Sequence, residues 1–448
     1  MISSQAIWHF AALAPGWPAL GALLIGALAL FQNRPREHVV VAIAHLALWL
    51  SVGSVCAGTA MWLSQGRQPV DLQLLDIYRS GDYALELRLY FDLASVVVST
   101  VAAVLILATS RFAQRYLHRE PGFVRFFVLM LTFAVGVLLL VLGGSYDLLL
   151  AGWEIVGWTS VLLVGFFQER QGPVRAALRV LVTYRLCDIG LLVGAVALHG
   201  WLHSSAYQDI FEHVAGSHGG ATASFVGLCL LFAAMGKSAQ IPVGGWLPRA
   251  MEGPTASSAV FYGGLSVHMG VYLLIRSAPV LEQAPLARFC VLVIGAVTAV
   301  MAALSGQVSA DAKSGLAYAT ISQVGLMFVE CALGLPKLAL LHLAAHSLLR
   351  YYQFLRTPST LQDALARRRA EGGAGPVPVE LTASTETSSF QRFLYRLAIE
   401  RFAIEAVLDR WVARPLLAVA RSLGRREDAL VGWLMGHSPV AKEGRHED

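Results

Sequence analysis

Charge is what this sequence lacks. Of its 448 residues only 14% are Asp, Glu, Lys or Arg, while 56% are apolar, and the mean hydropathy is +0.60. Soluble domains carry roughly a quarter charged residues, so this chain cannot clothe a water-soluble surface of its size. Cysteine is scarce too. The five, at positions 56, 187, 229, 290 and 331, lie in apolar stretches with no CxxC and no close Cys–His pair. That excludes a disulfide framework and a zinc site, so no metal or cofactor is expected. Basic clusters are missing as well: the net charge of +5 is small and scattered, which argues against nucleic-acid binding. What remains is an all-α, multi-spanning membrane protein in a lipid bilayer.

A spanning helix needs about 20 mostly apolar residues. Eleven stretches qualify: 8–31, 38–63, 90–110, 123–142, 146–166, 175–199, 223–243, 255–276, 285–305, 314–335 and 337–355. The first is too long for a signal peptide, lacks a basic leader and is followed directly by another span. Odd-numbered connections carry eleven Lys or Arg: Arg34, Arg36, Arg111, Arg115, Arg119, Arg125, Arg170, Arg175, Arg179, Arg249 and Lys313. Even-numbered ones carry six: Arg67, Arg79, Arg88, Arg276, Arg288 and Lys337. Positive charge accumulates on the cytoplasmic side. The N-terminus is therefore expected outside, with the tail in the cytoplasm of a cell whose inner membrane holds the chain.

Residues 1–356 read as the transmembrane, proton-channel-like domain. Residues 357–388, rich in Gly, Pro, Ser, Thr and Glu, read as a linker. Residues 389–448 read as an amphipathic helical tail, with Phe390, Phe393, Leu394, Leu397, Ile404, Leu408 and Trp411 at helical spacings. Such a helix lies on a membrane surface or docks to a partner.

Ionisable groups inside spans are few, and each is a functional candidate because hydrocarbon penalises charge. Glu154 in the fifth span and Lys237 in the seventh are opposite charges at membrane depth and should pair. A lysine whose partner can move is a proton carrier in waiting; the alternative is a static pair that locks two helices. Gly236, Pro242, Gly244, Gly245 and Pro248 predict a broken seventh helix, or simply a helix end. Arg185 and Asp188, three apart, share a helical face and suit an internal ion pair. His268, with Tyr262 nearby, is either a structural histidine or a relay member. His342, His346 and Arg350 recur every four residues along one stripe of the eleventh span. The histidines could pass protons, or hold a metal for which no third ligand is in sight. Arg350 could snorkel. Lys313, with Asp311, opens the tenth span, and Glu330 lies near its far end.

These residues are recognisable together. Trp153-Glu154-Ile155-Val156-Gly157 resembles the fifth-helix motif of the antiporter-like proton-pumping subunits of respiratory complex I and Mrp antiporters. The run Gly236-Lys237-Ser238-Ala239-Gln240-Ile241-Pro242, then Trp246-Leu247-Pro248 and Ala250-Met251-Glu252-Gly253-Pro254-Thr255, closely resembles that family's seventh-helix signature. Asp311-Ala312-Lys313, Leu316-Ala317-Tyr318 and Ser322-Gln323-Val324-Gly325 are similar to its next helix block. The likeness covers roughly 90–350. It implies a charge-modulated proton site at Glu154 and Lys237, an internal pair at Arg185 and Asp188, and a histidine pair at His342 and His346.

The departures narrow the likeness. The family's early eighth-span histidine is replaced by Tyr262, with His268 further on, and a lysine after the histidine pair is replaced by Arg350. Arginine stays protonated and cannot stand in as a carrier. Only three helices of a second five-helix repeat follow the first. This pattern, the ending Arg350-Tyr351-Tyr352-Gln353-Phe354-Leu355-Arg356 and the amphipathic tail resemble the membrane subunits, called DabB, of DAB inorganic-carbon accumulation complexes. That likeness implies a partner: a large cytoplasmic zinc-binding subunit related to β-carbonic anhydrases (DabA type). The membrane subunit would conduct protons or Na+ to drive CO2 hydration to bicarbonate in the partner, and is not itself an enzyme. Two other readings stay open: a proton-pumping subunit of a complex I-like or hydrogenase complex, and a non-conducting anchor for a soluble enzyme.

Overall fold

A computed structural model describes residues 4–32, 35–80, 83–216, 220–357, 388–408, 410–411 and 414–434. The linker expected at 357–388 lies almost wholly outside the described residues. The chain divides into two compact units, Met1–Thr385 and Glu386–Asp448.

The first unit is built of helices that are apolar all round, as buried or lipid-facing helices must be. Among the described residues nine are long and apolar enough to cross a membrane, or ten if one bent pair counts as a span. That pair, α1 (Ser4–Ala12) and α2 (Gly16–Phe31), is the first expected span, bent by 45°. Then come α3 (Glu37–Ser64), α4 (Leu93–Tyr116), α5 (Phe123–Leu142), α6 (Tyr146–Val164), α7 (Gln171–Leu202), the short α8 (Tyr207–Gly216) and α9 (Gly220–Lys237). After the interrupted segment 255–276 follow α13 (Pro285–Gln307), α14 (Ala312–Ala332) and α15 (Pro336–Arg356); α10 (Thr255–Ser257), α11 (Met269–Arg276) and α12 (Ala278–Glu282) are short pieces between them. The eleventh expected span, α15, has the length, but its histidines and Arg350 leave it outside the strongly apolar set.

The residues before α4 are not a plain loop. Strands β1 (Val70–Ser80) and β2 (Tyr83–Phe91) form an antiparallel hairpin, Val70 facing Phe91 and Ser80 facing Tyr83, with two bulges in β1. Leu85, Leu87, Leu89 and Phe91 alternate with Ala84, Glu86, Arg88 and Tyr90, the period-two pattern of a half-buried strand. The third span therefore begins at Leu93, where Asp92 and Ser95 form a capping box that satisfies the helix's first amides.

The seventh helix ends at Lys237. Residues 238–254 continue as turns with 3-10 helices at Gly244–Trp246 and Pro248–Glu252. The eighth span is interrupted as well. After α10 it runs as a π-helix, Ser258–Gly264, a 3-10 turn, Ser266–His268, and then α11. The Leu265 amide bonds to the Val260 carbonyl at 2.8 Å, five residues back. The whole segment is buried, with α4, α9, α14 and α15 packed around it. Irregular backbone survives at membrane depth only where protein surrounds it.

The second unit is helical, at Ser389–Ile399, Ile404–Leu408 and Arg414–Leu434. Phe390, Phe393, Tyr395, Ile399 and Trp411 are exposed on it.

Candidate functional site

The motif on α6 sends its side chains in two directions. Glu154 reaches α7, where its carboxylate pairs with the Arg185 guanidinium. Arg185 also pairs with Asp188 one turn along, at 2.7 Å. Asp188 in turn accepts from Trp153 Nε1 at 2.5 Å. One guanidinium is thus divided between two carboxylates on two helices.

Lys237 does not meet Glu154. The expected pair is replaced by Glu154 with Arg185, whose planar fork matches a carboxylate better than an ammonium does. Lys237, 1% exposed, donates instead to the Trp153 carbonyl at 3.1 Å. It sits over the faces of Tyr184 and Trp153, 4.3 and 4.7 Å from the ring centroids. Negative ring faces stabilise an ammonium without neutralising it. Gly157 makes this approach possible: a Cβ there would lie 3.0 Å from Lys237 Nζ and 3.2 Å from an Arg185 nitrogen.

The helix break carries the polar chain onward. Ser238, next to Lys237, donates to the Val267 carbonyl at 2.7 Å, which brings the end of α9 beside His268. His268 Nε2 lies 2.9 Å from His346 Nδ1. The other nitrogen of His346 accepts from Arg350 Nε at 3.1 Å, and Arg350 Nη1 donates to Gln353 at 2.8 Å. Arg350 therefore contacts a histidine within the protein instead of snorkelling. His342 is bound on both sides, by Glu330 at 2.8 Å and by Gln323 at 3.1 Å. Its ring centroid is 6.0 Å from that of His346.

Two candidates stand apart from these chains. Tyr262 is buried with its ring against Trp246, and its hydroxyl has no partner among the described residues. Lys313 donates to Thr255 Oγ1 at 3.0 Å, while Asp311 caps α14 through the Ser314 amide.

One cluster was not foreseen. Arg276, counted above among loop charges, is 2% exposed and grips Asp92 with two bonds of 2.6 and 2.9 Å. Its Nε donates to the Tyr272 hydroxyl at 2.8 Å, and Tyr90, Tyr207 and Tyr272 cage the guanidinium. It is a buried pair, not an orienting charge. The signal available was a charge at a span end with Asp92 opening another span, but 184 residues separate the two. Trp153 was also missed as the residue that serves Lys237 through its carbonyl and Asp188 through its indole.

The chain matches the family model described as NADH:quinone oxidoreductase/Mrp antiporter, TM, over residues 145–370. It is 30% identical over 381 residues to NAD(P)H-quinone oxidoreductase chain 5 of Synechocystis sp., covering 84% of this chain and 55% of that relative. It is 35% identical over 296 residues to NADH-ubiquinone oxidoreductase chain 5 of Allomyces macrogynus, covering 65% of this chain and 46% of that one. The chain thus spans about half the length of the curated relatives it matches. A chain of the Mrp complex from Dietzia sp. DQ12-45-1b superimposes with a TM-score of 0.65 at 26% identity, over 78% of this chain and 37% of that one. A chain of an archaeal membrane-bound sulfane sulfur reductase shares the fold, with a TM-score of 0.65 at 18% identity, over 77% and 70%.

Proposed function

Because the chain belongs to the NADH:quinone oxidoreductase/Mrp antiporter transmembrane family, we propose that it is an ion-translocating membrane subunit of a larger complex. The cargo is protons or Na+, and the switch is the group Glu154, Arg185, Asp188 and Lys237. The observation that carries this reading is the division of Arg185 between two carboxylates while Lys237 has a carbonyl and two ring faces. Moving a carboxylate toward or away from a buried lysine changes how firmly it holds its proton. Arg185 can tip toward Asp188 and free Glu154, or toward Glu154 and free Asp188. Either move changes the field at Lys237, and a proton released there has Ser238 and then the His268–His346 pair ahead of it. His342, with Glu330 and Gln323, lies beside the end of this route, while Tyr262 and Lys313 stand apart from it.

The orientation we propose puts the N-terminus outside and the second unit in the cytoplasm. The asymmetry of positive loops supports it, and removing buried Arg276 from the outer set strengthens it. The relatives named as quinone oxidoreductase chains support membership of a respiratory-type complex. A second reading is inorganic-carbon accumulation, with CO2 hydration in a large zinc-binding partner of the β-carbonic-anhydrase type. It is favoured by the exposed Phe390, Phe393, Ile399 and Trp411 of the second unit, which suit a docked protein, and by the ending of α15.

The test is Lys237→Ala and Glu154→Gln in the full chain, with ion flux and bicarbonate accumulation measured in cells. Both variants should insert normally and lose function. Full activity in either would overturn the assignment of the switch to these residues. Affinity capture of the intact complex then separates the two readings: redox subunits favour the first, one large zinc protein the second.

A further inference from the structure

We propose that Arg350 fixes the tautomers of His268 and His346 and so closes the pair to protons until the guanidinium moves aside. The closure, though not the tautomers, rests on the ion-translocating reading above.

The argument begins with what a guanidinium can do. Arginine has five N–H donors and no acceptor. Arg350 Nε donates to His346 Nε2 at 3.1 Å, so that ring nitrogen presents a lone pair. A neutral imidazole with a lone pair on Nε2 carries its hydrogen on Nδ1. His346 Nδ1 faces His268 Nε2 at 2.9 Å, so His268 Nε2 accepts and His268 must hold its own hydrogen on Nδ1. That nitrogen is buried, with the Gly264 backbone beside it. One contact at the end of α15 therefore dictates the proton positions on two rings.

The arrangement resists protons from both ends. A proton arriving at the other side of His268 meets Nδ1, which already carries hydrogen and has no lone pair to offer. Passage in that direction needs both rings to exchange tautomers first. That would point His346 Nε2–H at Arg350 Nε–H, two donors face to face. From the Arg350 side the needed lone pair exists, but the guanidinium occupies it. Once Arg350 leaves, a proton from water adds to His346 Nε2, the Nδ1 hydrogen crosses to His268 Nε2, and the His268 Nδ1 hydrogen departs to water. One proton enters, one leaves, and the rings end neutral with tautomers reversed. The bond from Arg350 Nη1 to Gln353 offers the guanidinium a hold that does not involve His346. His342, the other histidine on this stripe, is held by Glu330 and Gln323 and makes no hydrogen bond to His346. Arg350 is thus a positioning residue acting through His346.

Nitrogen-15 NMR of histidine-labelled full-length protein in lipid tests this, with His346→Asn used for assignment. Wild type should show His346 neutral with hydrogen on Nδ1. Arg350→Leu should introduce a population with hydrogen on Nε2, and Arg350→Lys, still a pure donor, should restore the wild-type pattern. Passive proton leak into vesicles should rise severalfold in Arg350→Leu and fall back in Arg350→Lys. Hydrogen on Nε2 of His346 in wild type overturns the proposal, whether or not Arg350→Leu folds. An unchanged tautomer in Arg350→Leu also overturns it, and an unchanged leak overturns the closure. If Lys237→Ala leaves flux intact, the translocation reading fails while the tautomer result still stands.

Discussion

Two arginine–carboxylate groups in the same membrane unit are built differently. Arg276 and Asp92 form a closed pair: two bonds to one carboxylate, a third to Tyr272, and aromatic rings around the cation. Arg185 faces two carboxylates, and both it and Glu154 keep about a third of their side-chain surface open. A closed pair with all three guanidinium nitrogens engaged has one arrangement. A guanidinium shared by Glu154 and Asp188 has at least two of similar geometry, and two states of comparable energy are what a switch requires. The same chemistry therefore ties α4 to α11 in one place and stays adjustable in the other.

Removing one partner from each pair is the sharpest way to break this contrast. Arg276→Met should have the largest effect, because it strands Asp92 in a largely buried site; breaking such a pair costs about 3–5 kcal/mol. Thermal unfolding in detergent should show it, and Asp92→Asn added to Arg276→Met should recover part of the loss. An Arg276→Met protein as stable as wild type would mean that the pair is not closed. Arg185→Met should destabilise less, by about 1–3 kcal/mol, yet abolish ion flux. Flux surviving in that variant would remove the switch from Arg185. Gly157→Ala sets a methyl 3.0 Å from Lys237 Nζ. The ammonium is the end of a flexible chain and can shift, so stability should change little while flux falls. At the bottom of the scale, the exposed hairpin pair of Arg79 and Asp76 should contribute at most about 0.5 kcal/mol; Arg79→Ala should leave unfolding and flux unchanged.

The sequence revealed the helices because lipid demands long apolar runs, and it revealed the end of α9 because Pro242 and Pro248 cannot continue a helix and the glycines beside them weaken one. The hairpin was legible in principle: Leu85, Leu87, Leu89 and Phe91 alternate as a strand should, but charged neighbours between two spans read as a loop. The members of the site were legible one by one, as ionisable groups in hydrocarbon. Their pairing was not. Glu154 had two cations within reach of its helix, and local spacing cannot rank them; the choice depends on how α6, α7 and α9 pack. The contact of His268 with His346 spans 78 residues and is set by the path of the eighth span. That path is irregular, and no periodicity in Ser258–Gly264 announces a π-helix.

The seven residues from Ser258 to Gly264 work as a phase shifter. An α-helix turns by about 100° per residue, and the wider π-turn lets one additional residue pass without completing a normal turn. Everything beyond it, His268 included, is rotated relative to what a regular helix from Thr255 would present. Deleting a single glycine, Gly263 or Gly264, could leave an unbroken and more regular helix. It would also swing His268 by about 100°, out of line with His346. The distortion of this span is therefore the setting that aims its histidine.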